Sequence, residues 1–208
     1  MKNIVSLLAF VLISLNLSAQ SGDWIELFNG KNMDGWKISD NPASFNVEDG
    51  VIKVDGPRAH AFYEGKVGNH DFKNFELMVE VKTMPKANSG IFFHTVFQET
   101  GWPNKGYEVQ VNQSHTDWRK TGSLYSFNDV KEVFVKDGEW YTEHIIVNGD
   151  QVTVKINGKT VMEYDESEDK NRPANAGEKK IDHGTFALQA HDPESVIYYR
   201  SVKVKILP

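Results

Sequence analysis

Cysteine is absent from the 208 residues of this chain. Its absence excludes disulfides, thiolate catalysis, cysteine-ligated zinc, iron–sulfur clusters and a lipid-modified cysteine. No block of Lys or Arg stands out either, and 23 basic against 29 acidic residues give a formal net charge of −6. A nucleic acid is therefore not an expected partner. Hydrophobic residues make up 39% and charged residues 25% of the chain, which is typical of a globular protein and excludes a disordered chain or a coiled coil.

No apolar run is long enough to predict a membrane span. Residues 4–17 are apolar apart from Ser and Asn, follow the single charge of Lys2 and lead to Ala19. This run is shorter than the roughly 20 residues that a spanning helix needs, and the order of charge, apolar run and small residue is that of a secretory signal peptide. We therefore predict a cleaved signal peptide over residues 1–19, one domain over residues 20–208 and no membrane association after cleavage. Export without disulfides indicates a periplasmic or secreted protein of a bacterial envelope.

Alternation of apolar and polar residues dominates the rest of the chain and predicts β-strands. The alternation is clearest in residues 75–82, 107–112 and 151–156, and residues 196–206 form a final long extended run. Asn157 with Gly158, and Asn148 with Gly149, predict two type I′ hairpins and hence a three-stranded meander. We predict an all-β fold, a sandwich of two stacked antiparallel sheets. The polar segment 165–180 is predicted to be a surface loop.

Polar side chains share one face in each of three predicted strands. The alternation assigns to these faces Glu108, Gln110, His94, Gln189 and His191. A curved sheet with these residues on its concave face would form a groove for a ligand. The alternative is that they are solvated residues on separate strands.

Eight short segments, in order, resemble the 3-keto-disaccharide hydrolase family. They are Trp24–Trp36, Asn88–His94, Gly106–Gln110, Thr121–Tyr125, Gly138–Trp140, Asn157–Lys159, Ala187–His191 and Tyr199–Val202. The resemblance spans nearly all of the chain after the signal peptide. It implies a concanavalin A-like jelly-roll sandwich and an exported enzyme that cleaves oligosaccharides or glycosides whose C3 hydroxyl has become a ketone.

The chemistry that this resemblance implies needs few groups. A C3 ketone makes the C2 proton acidic, so a base can remove that proton and the C1 substituent can leave. Water can then add to the product, which gives net hydrolysis; direct hydrolysis is equally compatible with the sequence. The resemblance commits to no cofactor, and a divalent metal stays an open alternative.

Glu108 is the candidate general base, because it lies centrally on a strictly alternating strand beside Gln110. His94 and His191 are candidate acids, bases or metal ligands, with a purely structural role as the alternative. The candidate substrate-binding residues are Gln110, Gln189, Tyr107, Trp102, Trp118, Tyr125, Asn88 and Arg200. Aromatic rings of this set could stack on sugar faces or form a small core beneath a loop. We assign Trp24, Trp36 and Trp140 to the core.

Two other motifs point to different chemistry. Residues 163–168 match the acidic strand of retaining β-glucanases, but the polar Glu166 and Ser167 would then have to be buried, so an acidic surface loop is favoured. His115 and Asp117 have a spacing compatible with a metal but supply only two ligands.

The polar face leaves two classes of function open. One is an enzyme that acts on 3-keto-glycosides, and the other is a non-catalytic, lectin-like carbohydrate-binding module. A binding module needs aromatic rings and amides but no central carboxylate with imidazoles beside it, so Glu108 favours the enzyme. A third reading, an envelope interaction domain, does not explain the polar face. The oligomeric state cannot be read from the sequence.

Overall fold

A computed structural model describes residues 22–174 and 176–208 of the chain. The predicted signal peptide over residues 1–19 lies outside the described residues. Within them, none of the helical segments has the length and hydropathy that crossing a membrane requires.

Thirteen strands and three short 3₁₀ segments make up the described fold, so the all-β prediction is confirmed. The strands are β1 (Ile25–Glu26), β2 (Trp36–Ile38), β3 (Phe45–Glu48), β4 (Val51–Asp55), β5 (Ala59–Tyr63), β6 (Phe75–Thr83), β7 (Ser89–Thr95), β8 (Tyr107–Val111), β9 (Tyr141–Asn148), β10 (Gln151–Ile156), β11 (Lys159–Asp165), β12 (Thr185–Ala190) and β13 (Val196–Ile206). The 3₁₀ segments are Pro42–Ser44, Val67–His70 and Glu166–Glu168.

The strands form two antiparallel sheets. The larger sheet has eight strands. Seven of them follow the order β11-β10-β9-β6-β13-β4-β3, and β1 pairs with the C-terminal part of β13, which β4 does not reach. The smaller sheet has five strands in the order β2-β5-β12-β7-β8. Alternate apolar residues of both sheets point toward each other and form one buried core. The outer face of the five-stranded sheet is therefore free to carry other side chains.

The predicted meander of β9, β10 and β11 is present, with one change of turn. Asn157 and Gly158 both have positive φ, at 49° and 81°, as a type I′ hairpin requires. In the other hairpin Asn148 pairs with Gln151, so the two turn residues are Gly149 and Asp150. The predicted turn pair Asn148 and Gly149 is thus displaced by one residue.

A β-bulge interrupts β7. On β12, Thr185 and Ala187 are two residues apart, but their partners Thr95 and Phe92 on β7 are three residues apart. β7 therefore holds one extra residue, and His94 takes the left-handed φ of 54° that this accommodation needs.

The bulge turns His94 away from the outer face. Its ring packs in the core, with its centroid 5.6 Å from that of Phe75. Its Nε2 lies 2.9 Å from the carbonyl oxygen of Lys73, and its Nδ1 accepts a hydrogen bond from the backbone N–H of Asp182 at 3.1 Å. The prediction that His94 shares a face with Glu108 is therefore wrong.

Beyond the bulge the two faces of β7 are exchanged. Regular alternation would put Phe97 on the same side as Phe93, in the core. Instead Phe97 packs on the outer face against a small cluster formed by Phe62, Phe92 and Ala187. This aromatic cluster supports one end of the site described next.

Candidate functional site

Strand register brings polar residues of the outer face into one row. Gln189 on β12 pairs with His60 on β5, and Gly90 on β7 pairs with Gln110 on β8. Because Leu188 pairs with Ile91, Gln189 and Gly90 are neighbours as well. The row therefore runs across four adjacent strands, which lie about 4.8 Å apart in a sheet.

Glu108 lies over the gap that Gly90 leaves in this row. A Cβ atom at position 90 would come within 2.3 Å of Glu108 Oε1, so a larger residue there would displace the carboxylate. Across the same gap, Nε2 of Gln189 donates a hydrogen bond to Glu108 Oε1 at 3.1 Å. The sequence prediction that Glu108, Gln110 and Gln189 share a face is confirmed by this register.

A cavity of about 340 Å³ opens above the row. Residues of β7, β8 and β12 and the residues next to their ends form its floor, and three loops form its walls. The floor carries Asn88, Phe92, Glu108, Gln110, Gln189 and His191, and the walls carry Trp102, Pro103, Asp117, Tyr125, Ser126, Phe127, Pro173, Ala176 and Lys179. Its volume and its mixture of aromatic and amide groups suit a small polar ligand.

Glu108 has the properties of a base that works near neutral pH. Glu108 is half-buried, and it lines the cavity. This burial raises its pKa from 4.5 to about 7, while the charge of Lys179 and the hydrogen bond from Gln189 act in the opposite direction. A base with a pKa near the working pH is the most effective one for proton abstraction.

Two amide oxygens on the floor have no hydrogen-bond partner among the described residues. They are Oε1 of Gln110 and Oε1 of Gln189, both fully buried. The other end of each amide is fixed, since Gln110 Nε2 donates to Asn88 Oδ1 at 2.6 Å and Gln189 Nε2 donates to Glu108. Buried acceptors held in this way lower the free energy of a complex when a ligand hydroxyl donates to them.

His191 lies at the edge of the floor and is oriented by its neighbour. Its Nδ1 is 2.7 Å from Asp192 Oδ2, and the same carboxylate accepts from Ser195 Oγ at 2.9 Å. Burial alone would raise the pKa of Asp192, but these hydrogen bonds hold it below its usual range, so the carboxylate stays ionised beside the ring. The centroid of the exposed Trp102 ring is 5.2 Å from that of His191. An imidazole held by a carboxylate in this way can carry a proton to a ligand.

The wall that contains Lys179 belongs to the segment predicted to be a surface loop. Glu166, at its start, accepts hydrogen bonds from the hydroxyl of Tyr107, from the guanidinium of Arg172 and from the backbone N–H of Ile181. One carboxylate thus ties both ends of the loop to the sheet. The loop is a wall of the cavity as well as a surface element, and Glu166 has a structural role within the acidic 163–168 match.

Several predicted binding residues lie elsewhere. Tyr107 is buried in the core, as its own alternation with Val109 requires, and only its hydroxyl reaches Glu166. Trp118 is exposed outside the cavity, where the guanidinium of Arg119 lies over its ring. Arg200 is on the larger sheet and pairs with Glu80 at 2.7 Å. The placement of Tyr107 and Arg200 at the site is therefore wrong, and Trp118 lies outside the cavity lining, whereas Asn88, Gln110, Gln189, Trp102 and Tyr125 do line the cavity.

The tryptophans assigned to the core divide in the same way. Trp36 is buried, as predicted. Trp24 is exposed and Trp140 is half-buried beneath the guanidinium of Arg200, so those two assignments are wrong. Each of the two has a cation over its ring, which covers an exposed aromatic surface without burying it in the core.

Sequence reasoning missed Lys179, Phe92 and Phe127 as cavity residues. The alternation of β7 does put Phe92 on the polar face, a signal that could have been used. No local signal marks Lys179, because its position depends on how Glu166 anchors the loop.

The described residues contain no cluster of three or more His, Asp or Glu side chains arranged to hold a metal ion. At the two-residue motif, the backbone N–H of Asp117 donates to His115 Nδ1 at 3.1 Å, and Asp117 Oδ1 accepts from the backbone of Arg119. Asn112 bonds the carbonyls of Asp117 and Arg119 through its Nδ2. These contacts shape the loop that carries the Asp117 wall of the cavity.

Comparison with known proteins gives a family match over residues 23–205, to the 3-keto-alpha-glucoside-1,2-lyase-like domain. A Bacteroides thetaiotaomicron protein named 3-keto-disaccharide hydrolase is 31% identical over 188 residues, which cover 76% of this chain and 64% of that protein. The chain thus spans somewhat less than two thirds of the length of this relative.

Solved structures share the fold. A crystal structure of a Parabacteroides distasonis protein aligns with a TM-score of 0.75 at 24% identity, covering 89% of this chain and 94% of that one. A Bacillus subtilis protein with a galectin-like fold aligns with a TM-score of 0.62 at 10% identity, covering 89% and 96%. At these identities the likeness concerns the sandwich alone.

Proposed function

We propose that this chain, which belongs to the 3-keto-alpha-glucoside-1,2-lyase-like family, cleaves 3-keto-glycosides in the cavity described above with Glu108 as the general base. The observation that carries the proposal is the position of Glu108: a carboxylate with a pKa near 7 on the floor of a small cavity, flanked by buried amide acceptors. Sugar hydroxyls supply the donors that those acceptors lack.

The reaction begins at C2 of the keto sugar. Glu108 takes the C2 proton, and the electron pair of that bond forms an enolate with the C3 carbonyl. The enolate then expels the C1 substituent, which leaves a double bond between C1 and C2 and restores the C3 ketone. His191, oriented by Asp192, supplies the proton that the leaving oxygen needs.

Hydration of the elimination product completes the cleavage. Water adds its oxygen to C1 and gives up a proton to His191, which thereby regains the one it lost, and the proton that Glu108 took returns to C2, so the net change is hydrolysis. Elimination followed by hydration accounts for two names among the similar proteins, a 1,2-lyase for the family and a hydrolase for the Bacteroides relative. No covalent enzyme carboxylate is needed.

The test compares wild type with Glu108→Gln on one disaccharide in its 3-keto and unoxidised forms, scored for released sugar. Loss of a positioned general base lowers rates by about 10²–10⁴-fold, and the unoxidised sugar should not react. Glu163→Gln is the matched control, because Glu163 is an exposed carboxylate outside the cavity. Wild-type turnover by Glu108→Gln, or equal cleavage of the unoxidised sugar, would refute the proposal.

A binding module is the second candidate. The exposed ring of Trp102 beside two amide acceptors also suits a lectin-like site. It predicts saturable binding of the keto sugar with no product and no exchange of its C2 proton. The elevated pKa of Glu108 favours the enzyme, because binding alone does not need a titrating carboxylate.

The proposed location is the periplasm or the exterior of a bacterial cell. It rests on the signal peptide pattern of residues 1–19. N-terminal sequencing of protein recovered from its native host should begin near Gln20, and an intact Met1 on cytosolic protein would contradict it.

A further inference from the structure

We propose that Lys179 is a second catalytic group, whose ammonium stabilises the enolate oxygen at C3 when Glu108 removes the C2 proton. The proposal rests on the function proposed above and adds to it an electrophilic residue. Of the described residues that line the cavity, Lys179 alone carries an ammonium or guanidinium group. Proton abstraction beside a ketone needs such a group, because the negative charge formed on oxygen must be stabilised.

The ammonium of Lys179 is available to a ligand. Among the described residues no carboxylate lies within 4.0 Å of it, and its single side-chain hydrogen bond is a long one, 3.5 Å to the carbonyl oxygen of Pro103. Other lysines near the cavity walls are engaged, such as Lys120, which donates to two backbone carbonyls at 2.9 Å. Lys179 therefore has hydrogen-bond capacity directed into the site and not consumed by the fold.

Backbone hydrogen bonds within its loop hold Lys179 in position. Its backbone N–H donates to the carbonyl oxygen of Ala176 at 3.0 Å, which closes a turn facing the cavity. Two residues further on, the N–H of Ile181 is bound by Glu166, and that carboxylate is bound in turn by Tyr107 and Arg172. A loop held at both ends can present its ammonium in a constant place, as preorganised stabilisation requires.

Charge balance favours the enolate role. Lys179 and Glu108 influence each other: the ammonium favours the ionised carboxylate, and the carboxylate favours the charged ammonium, while burial opposes both charges. When the proton moves from C2 to Glu108, the negative charge moves from the carboxylate to the C3 oxygen. The Lys179 ammonium then interacts with the same negative charge at a position a few ångströms away. The net charge in the cavity does not change during the step.

The competing role for Lys179 is protonation of the leaving oxygen, which we assign to His191. The two roles differ in the bond that they act on, so substrates can separate them. 1,5-Anhydroglucitol oxidised at C3 has no exocyclic substituent at C1, so exchange of its C2 hydrogen in D₂O, followed by NMR, reports enolate formation without cleavage of a glycoside. The p-nitrophenolate that leaves a p-nitrophenyl 3-keto-α-glucoside needs no proton. The methoxide that leaves the corresponding methyl glycoside does need one.

The experiment measures Lys179→Met, Lys179→Arg and wild type on all three compounds. We expect Lys179→Met to lower C2 exchange by about 10²–10³-fold, as removal of one donor from an oxyanion site does, and to lower cleavage of both glycosides by the same factor. Lys179→Arg should recover part of the exchange rate. Lys180→Met is the matched control, because Lys180 is a more exposed neighbour outside the cavity, 3.9 Å from Asp182, and should leave all rates unchanged.

Each other outcome overturns the proposal. Unchanged C2 exchange with loss confined to the methyl glycoside would make Lys179 the leaving-group acid. Unchanged exchange with a raised KM would make it a binding residue only, and loss of native circular dichroism in Lys179→Met but not in Lys179→Arg, with full activity of the latter, would make it structural. If wild type itself neither exchanges the C2 hydrogen nor cleaves either glycoside, the proposed function fails, whereas activity that survives Lys179→Met refutes Lys179 alone.

Discussion

Replacing Gly90 by Ala should inactivate Glu108 as a base, although residue 108 itself is not changed. The added Cβ would lie 2.3 Å from Glu108 Oε1 and 2.7 Å from its Cγ, closer than side-chain contacts allow, so the carboxylate must move. The φ of Gly90 is not in the left-handed region, so the backbone itself accepts Ala. Misplacement of a catalytic group by about 1 Å lowers activity roughly 10²-fold. At about 1.36 kcal/mol per factor of ten, the barrier should rise by about 2.7 kcal/mol.

The stability of Gly90→Ala should change far less than its activity. Forcing the Glu108 side chain off its rotamer costs about 0.5–1.5 kcal/mol, while Ala stabilises by about 0.4–1 kcal/mol through the unfolded chain. The free energy of unfolding, from urea denaturation, should therefore stay within about 1 kcal/mol of wild type. In a Glu108→Ala background the clash is gone, so adding Ala at position 90 should have no unfavourable effect.

A second glycine supplies the control for this prediction. A Cβ at Gly65 would meet the hydroxyl of Tyr63 at 2.4 Å, a similar clash on a residue outside the cavity that holds Glu108. Gly65→Ala should change stability and leave kcat/KM on the keto sugar near wild type. If Gly90→Ala keeps wild-type kcat/KM, the position of the Glu108 carboxylate described here is not its catalytic position, and the reasoning from close approach is refuted.

Three further outcomes follow from the described contacts. The kcat/KM of wild type should rise with pH through an apparent pKa near 7, because Glu108 acts as a base only after losing its proton; a rate that falls over this range would contradict it. Glu143 is buried in the core with neither carboxyl oxygen hydrogen-bonded among the described residues, and burial raises its pKa well above 4.5. The folded state therefore keeps a proton that the unfolded state loses above about pH 4.5, so the free energy of unfolding falls as pH rises from there. Glu143→Met should raise the free energy of unfolding at pH 7 by about 1–3 kcal/mol. Urea titrations at several pH values should also show that the variant's free energy of unfolding depends less on pH. Tyr107→Phe removes a hydrogen bond to the charged Glu166 and should lower the free energy of unfolding by about 1.5–3 kcal/mol, with little change in KM, whereas a large change in KM would restore Tyr107 to the binding site.

The parts of this molecule that sequence could predict are those set by local alternation. Glu108, Gln110, Gln189 and His191 lie on one face because strands pass through them with period two, and neighbouring strands then bring them together. The same rule already placed Tyr107 in the core beside Val109. Its prediction as a binding residue failed because aromatic character was given more weight than alternation.

The parts that sequence could not predict depend on contacts between distant segments. His94 left the polar face because a bulge inserts one residue into β7, and nothing in residues 89–95 marks that position locally. Lys179 reached the cavity because Glu166 anchors the far end of its loop through a half-buried carboxylate. Both depend on long-range pairing, which a pattern read along the chain does not contain.

The extra residue in β7 has a consequence for how related sequences are compared. Before the bulge, even-numbered positions such as 90 and 92 face outward; after it, the odd-numbered positions 95 and 97 do. A homologue without the bulge would match this chain only if a one-residue gap is placed next to His94. Without that gap, the positions after His94 would be compared with residues of the opposite face, so a core residue would be aligned with a surface residue. The bulge is thus an insertion of the kind that a substitution at His94 cannot reverse.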